Sequence, residues 1–145
     1  MYKFRNSIKK HRLMKKTKYK KFFSMGLHSG VRNYTVKDLI NLKGKKKLTQ
    51  INVTNAEEAA ACEEAGIDLI IAGPPSPLKE IREAAPKTFF TVGINWLKHS
   101  TKESAIKQAL EYMELGVDSI HCGCWNINFI KYLNEFRIPF QGHVG

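Results

Sequence analysis

Residues 48–73, LTQINVTNAEEAAACEEAGIDLIIAG, contain one complete strand–helix–strand unit. LTQINV reads as a strand. Thr54 or Asn55 then caps the Ala- and Glu-rich helix AEEAAACEEAG, and Gly66 stops it, because glycine readily takes the left-handed backbone that closes a helix end. IDLIIAG follows as an unbroken apolar run. A strand that is apolar on both faces is covered on both faces, which marks a parallel sheet flanked by helices.

The same alternation extends in both directions. Upstream, Thr35 is placed to cap a short helix, VKDLINLKG, whose Val36, Leu39, Ile40 and Leu42 lie mostly on one side and whose Gly44 ends it. Downstream come the helix SPLKEIREAA, the strand KTFFTVG, and the helix STKESAIKQALEYMELG with Ser100 or Thr101 as N-cap and Gly116 just past its end. The strand VDSIHCG, the helix NINFIKYLNEF and the strand IPFQGHVG complete the chain. About five strands, each but the last followed by a helix and joined by short loops, demand right-handed crossovers and a parallel sheet. The fold class predicted is α/β, with βα repeats equivalent to the first half of a TIM (β/α)8 barrel. A whole barrel takes roughly 250 residues, and this chain has 145. The last strand is expected to leave Ile138, Phe140 and Val144 only partly packed and the sheet edge open, so that another element follows or docks.

The charge of +11 is unevenly spread. Residues 1–24 carry ten Lys/Arg and no acid, whereas residues 25–145 carry fourteen Lys/Arg against thirteen Asp/Glu. The domain division read here is therefore a basic, disordered extension over 1–24 and a nearly neutral partial-barrel domain over 25–145. Three readings of the extension stay open: a solvated tail without a role, an arm touching RNA or another anionic surface, and an organelle-targeting peptide. Cys62, Cys122 and Cys124 form an odd set without disulfide-framework spacing, which fits a reducing cytoplasm. No apolar run has the length of a membrane span.

Parallel βα folds gather functional residues at the C-terminal ends of their strands. This selects Asn52–Asn55, Gly73–Pro77, Gly93–Trp96, His121–Trp125 and Gly142–Gly145. Alternation along a barrel strand points His121 and Gly123 inward and Cys122 toward a helix. His121, Cys124 and His143 are then candidates for catalysis, either as a small N/S cluster for a metal such as Zn²⁺ or as a His-activated thiolate. The competing reading is that these are hydrogen-bonded histidines and a packed cysteine. Asn52, Asn55, Asn95, Trp96 and Trp125 are candidates for substrate contact, the indoles by stacking on a flat ligand and Asn95 by orienting a carboxylate or amide; capping of the core by the tryptophans is the alternative.

The run KKLTQINVTNAEEAAACEEAGIDLIIAG (46–73), the segment GVDSIHCGCWN (116–126) and the strand RIPFQGHVG (137–145), with its Ile-Pro-Phe-x-Gly-His-Val-Gly pattern, occur in the order found in ketopantoate hydroxymethyltransferases. The chain resembles that family from roughly Asn33 to Gly145. The resemblance implies transfer of a one-carbon unit from 5,10-methylenetetrahydrofolate to 3-methyl-2-oxobutanoate in pantothenate biosynthesis, with Mg²⁺ held by acids at the ends of strands two, three and four. It also implies a small-molecule 2-oxo acid partner, and a homo-oligomer is expected.

Those acids are not here. Where the family has Gly-Asp-Ser the chain reads Gly73-Pro74-Pro75, its strand-three aspartate is Gly93, its strand-four glutamate is Gly123, and the lysine two residues earlier is His121. Glycine and proline side chains offer no oxygen to a hard cation. The segment between strands two and three is also far shorter than in the family, and the family's acid/base glutamate lies beyond the Gly-His-Val-Gly strand. The expectation is thus impaired or altered hydroxymethyltransferase chemistry. A barrel enzyme for another 2-oxo acid and a non-catalytic interaction protein are the alternatives.

Overall fold

In a computed structural model of the protein, residues 19–23, 29–94, 99, 101–123 and 127–143 are described. Seven strands and five helices follow one another among them. Strands β1 (Lys20–Phe23) and β2 (Ser29–Arg32) precede α1 (Val36–Leu42). Then come β3 (Gln50–Asn52), α2 (Ala56–Ala65), β4 (Leu69–Ala72), α3 (Leu78–Ala84), β5 (Phe89–Gly93), α4 (Lys102–Glu114), β6 (Ser119–Gly123), α5 (Ile127–Glu135) and β7 (Phe140–His143). Strands β3 to β7 form one five-stranded sheet in sequence order, every neighbouring pair parallel. This is the half-barrel α/β architecture that the repeated units predict. No described helix is long and apolar enough to cross a membrane.

The helix ends follow from local chemistry. Thr35 and Asp38 make a reciprocal capping box on α1. Asn55, rather than Thr54, is the N-cap of α2, accepting from Glu58 N, and Gly66 closes that helix at φ 74°. Thr101 caps α4 through Ser104 N; Ser100, the other candidate, lies outside the described residues.

Pleating sorts the strand side chains between two faces. Val53, Ile70, Ala72, Phe90, Val92, Ile94, Ile120 and Cys122 pack with helical residues such as Ile81, Ala109 and Leu133 in the main core. Leu69 and Phe89 point the other way, joining Tyr34 and the α1 residues Leu39 and Leu42. Helix α1 therefore lies on the inner face of the sheet, and α2 to α5 cover the outer one.

The sheet is strongly curved. Flat, five strands at about 4.8 Å spacing would hold the outer two about 19 Å apart. Yet Gln50 of β3 and Gln141 of β7 exchange two amide hydrogen bonds, of 3.0 and 2.9 Å. In a closed eight-stranded barrel the first and fifth strands face each other across the axis, and inward side chains fill the space between. The glutamine pair occupies that relation here. At the last strand, Ile138 is buried whereas Phe140 remains 38% exposed; Val144 lies outside the described residues.

The N-terminal ends of the strands are held by polar contacts that the sequence reading did not anticipate. Asn33 donates to Asp68 O (2.7 Å) and accepts from Phe89 N (2.9 Å). Asp68 accepts from Tyr34 Oη, Lys46 Nζ and Thr49 N. Asp118 accepts from Arg32 and Arg82, both buried. Lys20–Phe23 pairs antiparallel with Ser29–Arg32, and the Phe22 ring lies 4.0 Å from the Arg32 guanidinium carbon, so ordered structure reaches back into the basic segment. Residues 1–18 lie outside the described residues.

Candidate functional site

The register of the sheet fixes what meets at its C-terminal end. Gly93 pairs with His121, His121 with Gln141, and Gly123 with His143. Alternation from the inward Leu69, Phe89 and Gln141 places Asn52, Gly73, Gly93, His121, Gly123 and His143 on the concave face, at the mouth of the half-barrel. Cys122 points outward into the main core, as the alternation predicts.

His121 and His143, on neighbouring strands, stand edge to face, with ring centroids 5.7 Å apart and planes at 76°. His121 is half-buried and His143 exposed. Burial, followed by the charge His143 carries when protonated, lowers the pKa of His121, so its neutral form dominates at pH 7. Its Nδ1 is closed off from solvent and has no hydrogen-bond partner among the described residues.

The remaining candidates divide. Asn52 is exposed at the end of β3. Asn55 is engaged in capping, with Oδ1 accepting from Glu58 N and Nδ2 directed at Thr54 Oγ1, which leaves less of its amide for a substrate. Asn95, Trp96, Cys124 and Trp125 lie outside the described residues. Among those described, no group of three or more His, Cys, Asp or Glu is arranged to hold a metal ion.

The mouth itself is open. A Cβ built on Gly73 would approach nothing nearer than Gly93 O at 3.9 Å, and one on Gly93 nothing nearer than Ala72 O at 3.8 Å. Side chains would fit at both positions, so their absence leaves space and removes oxygen donors. Below the histidines, a groove of about 720 Å³ runs along the inner face, lined by Leu39, Leu48, Leu69, Phe89, Thr91 and Phe140 among others. Its lining is mostly apolar and continues the packing of α1.

Taken together, the parallel half-barrel and its strand order define a barrel-type α/β protein with His121 and His143 side by side at the C-terminal end of the sheet. No protein-family model matches the chain. It is, however, similar to 3-methyl-2-oxobutanoate hydroxymethyltransferases: 29% identical to that of Kosmotoga olearia over 76% of this chain and 50% of the relative. The Thermosipho melanesiensis protein is 25% identical over 77% of this chain and 51% of its own length, and that of Staphylothermus marinus 23% identical over 79% and 51%. The chain resembles the ketopantoate hydroxymethyltransferase family as a divergent relative, and it spans about half the length of the curated relatives it matches.

The family's Mg²⁺ does not fit the residues present. Pro74, Gly93 and Gly123 contribute no side-chain oxygen, and among the described residues the concave face at the strand ends presents the Asn52 amide and the His121 and His143 imidazoles. A hard cation needs a shell of oxygens.

Proposed function

We propose that this chain is a hydroxymethyltransferase-like protein that binds a 2-oxo acid, 3-methyl-2-oxobutanoate by resemblance, at the concave mouth of its half-barrel, with Mg²⁺-dependent one-carbon transfer impaired or altered. The juxtaposition of His121 and His143 at the strand ends carries this reading. On the neighbouring strand the exposed His143 imidazole can donate to a carboxylate or keto oxygen of such an acid while glycine positions leave room for its carbon chain. A neutral His121 is also able to accept a proton from the carbon beside the carbonyl, the step that any transfer to that carbon requires.

Without the acids, the enolate that follows lacks the charge stabilisation a bound metal supplies, and hydrogen bonds from the imidazoles replace only part of it. Turnover in the presence of 5,10-methylenetetrahydrofolate is therefore expected to be slow and indifferent to Mg²⁺.

Calorimetric titration with 3-methyl-2-oxobutanoate, paired with a hydroxymethyl-transfer assay with and without Mg²⁺, tests both halves. Binding that weakens at least tenfold in His121→Ala and His143→Ala supports the site. Binding untouched by both substitutions removes it, and Mg²⁺-stimulated turnover refutes the impairment.

A further inference from the structure

The cationic excess of the chain does not end with its first 24 residues. Residues 1–47 carry sixteen Lys/Arg against one acid, Asp38, whereas residues 48–145 carry eight against twelve. The fold gathers the described part of this basic stretch at one pole of the half-barrel, where the strands begin. Lys43, Lys45, Lys46 and Lys47 lie between α1 and β3, and Lys46 Nζ reaches Asp68, the residue before β4. The β1–β2 hairpin is tied to the same pole. Arg32 bonds Asp118, the residue before β6, and Asn33 N donates to Lys87 O, two residues before β5. The Tyr19 ring stands 5.2 Å from Lys87 Nζ. We propose that this pole, through Lys21, Lys43, Lys45, Lys47 and Tyr19, binds a single-stranded nucleic acid without regard to its sequence.

The four lysines are exposed, and none has an ion pair among the described residues. The acids nearby are already engaged. Asp38 holds Lys20, Asp68 holds Lys46 and Tyr34, and Asp118 holds the buried Arg32 and Arg82. Glu63 accepts from the backbone N–H groups of Lys87 and Thr88. Glu64, Glu83, Glu114 and Glu135 stand in the last turns of α2 to α5, in the outer layer, which confines the cationic surface to the side of α1 and the hairpin. Lysines in that state gain affinity by releasing counterions from the phosphates they meet. Tyr19, 47% exposed, offers a base a ring to stack on within the same surface. Tyr2, Phe4, Phe22 and Phe23 interleave with the other basic residues of the first 24 in the same manner. Cations alternating with rings favour a single strand, whose bases are free to stack, over a duplex or a membrane. The surface lies at the opposite end of the strands from the 2-oxo acid mouth, so the two readings stand or fall separately.

The test is fluorescence anisotropy of a labelled single-stranded RNA of about 16 nucleotides, titrated with the full chain at several salt concentrations. Wild type is compared with Lys21→Ala/Lys43→Ala/Lys45→Ala/Lys47→Ala, with Tyr19→Ala, and with a charge-matched control at exposed positions of the outer helices, Lys79→Ala/Lys102→Ala/Lys107→Ala/Lys131→Ala. Circular dichroism establishes that each is folded. The pole variant is expected to bind about tenfold or more weakly at low salt, with a slope of log affinity against log salt smaller by about 3, at about 0.7 per lost phosphate contact. Tyr19→Ala should lose about fivefold with its salt slope unchanged. The control should stay within about twofold of wild type. Absence of binding, equal losses in the two lysine variants, or no loss in the pole variant overturns the proposal. So does an unchanged Tyr19→Ala, which would leave only a general attraction for polyanions. Sedimentation with phosphatidylserine vesicles that the pole variant abolishes, without RNA binding, would assign the surface to a membrane instead.

Discussion

Arg32 and Asp118, 86 positions apart, meet beneath the sheet, where Arg32 Nε donates to both carboxylate oxygens at 3.0 and 2.9 Å. Arg82 joins from α3, donating to Asp118 Oδ2 at 3.1 Å, and Phe90 N adds a fourth hydrogen bond at 2.9 Å. Three charged groups with little solvent access make a costly arrangement unless each is paired. Burial, and then the neighbouring Arg32 charge, pull the Arg82 pKa down to about 10. The shared carboxylate is what keeps two buried guanidinium groups together.

Asp118→Ala is therefore expected to lower stability by about 3–5 kcal/mol, the range for stranding a buried charge. Arg82→Met should cost less, because Arg32 still pairs with Asp118 and methionine replaces much of the lost volume. Urea denaturation of the three proteins measures both. Equal losses in the two variants would show that Asp118 is not the centre of the triad.

Acid should act through His121. Its folded pKa is lowered by burial and by His143, so the unfolded chain, with an ordinary pKa near 6.5, takes up the proton more readily. Stability from this group is complete above about pH 6.5 and declines as pH falls from there toward the lowered folded value. His121→Gln removes a titrating group from the mouth, and thermal midpoints between pH 7.5 and 5 should depend less on pH in the variant. Parallel curves for wild type and variant would contradict this.

Legibility of the fold in the sequence varied with the range of the interactions. Capping by Thr35, Asn55 or Thr101 and the αL Gly66 are contacts within four residues, so short patterns revealed them. The two-sided apolar run ending at Ala72 announced the parallel sheet. The β1–β2 hairpin was hidden because KKFF and SGVR show no alternating pattern; Arg32 anchors it through Phe22 on one side and the distant Asp118 on the other. The Asp68 and Asp118 networks were hidden for the same reason, their partners being reachable only once the sheet exists. At the site, strand alternation sufficed to face His121 inward, and the Asn55 position satisfied two sequence readings at once, of which the structure displays the capping one.

Restoring oxygen donors should restore a hard-metal site. Gly93 has space for a side chain, and Pro74 and Gly123 occupy the other positions where the resemblance places acids. A Pro74→Asp/Gly93→Asp/Gly123→Glu variant is expected to bind Mg²⁺ or Mn²⁺ measurably, by calorimetry or by Mn²⁺ relaxation, where wild type does not. Equal Mg²⁺ binding by both proteins would mean that the three positions are not what denies the ion a site.

The Gln50–Gln141 bridge offers a way to test the curvature in solution. Both side chains are exposed, so each neutral hydrogen bond contributes at the low end of the usual 0.5–1.5 kcal/mol range. Their coupling nevertheless depends on the sheet remaining bent, because on a flat sheet the two amides cannot meet. A double-mutant cycle with Gln50→Ala, Gln141→Ala and the pair is expected to give a coupling of about 0.5–1 kcal/mol. A coupling of zero would mean that the outer strands part in solution and that β3 and β7 do not face each other as the first and fifth strands of a barrel do. A coupling in the expected range means that the inner face is a preformed concavity, at whose C-terminal end His121 and His143 stand on paired strands.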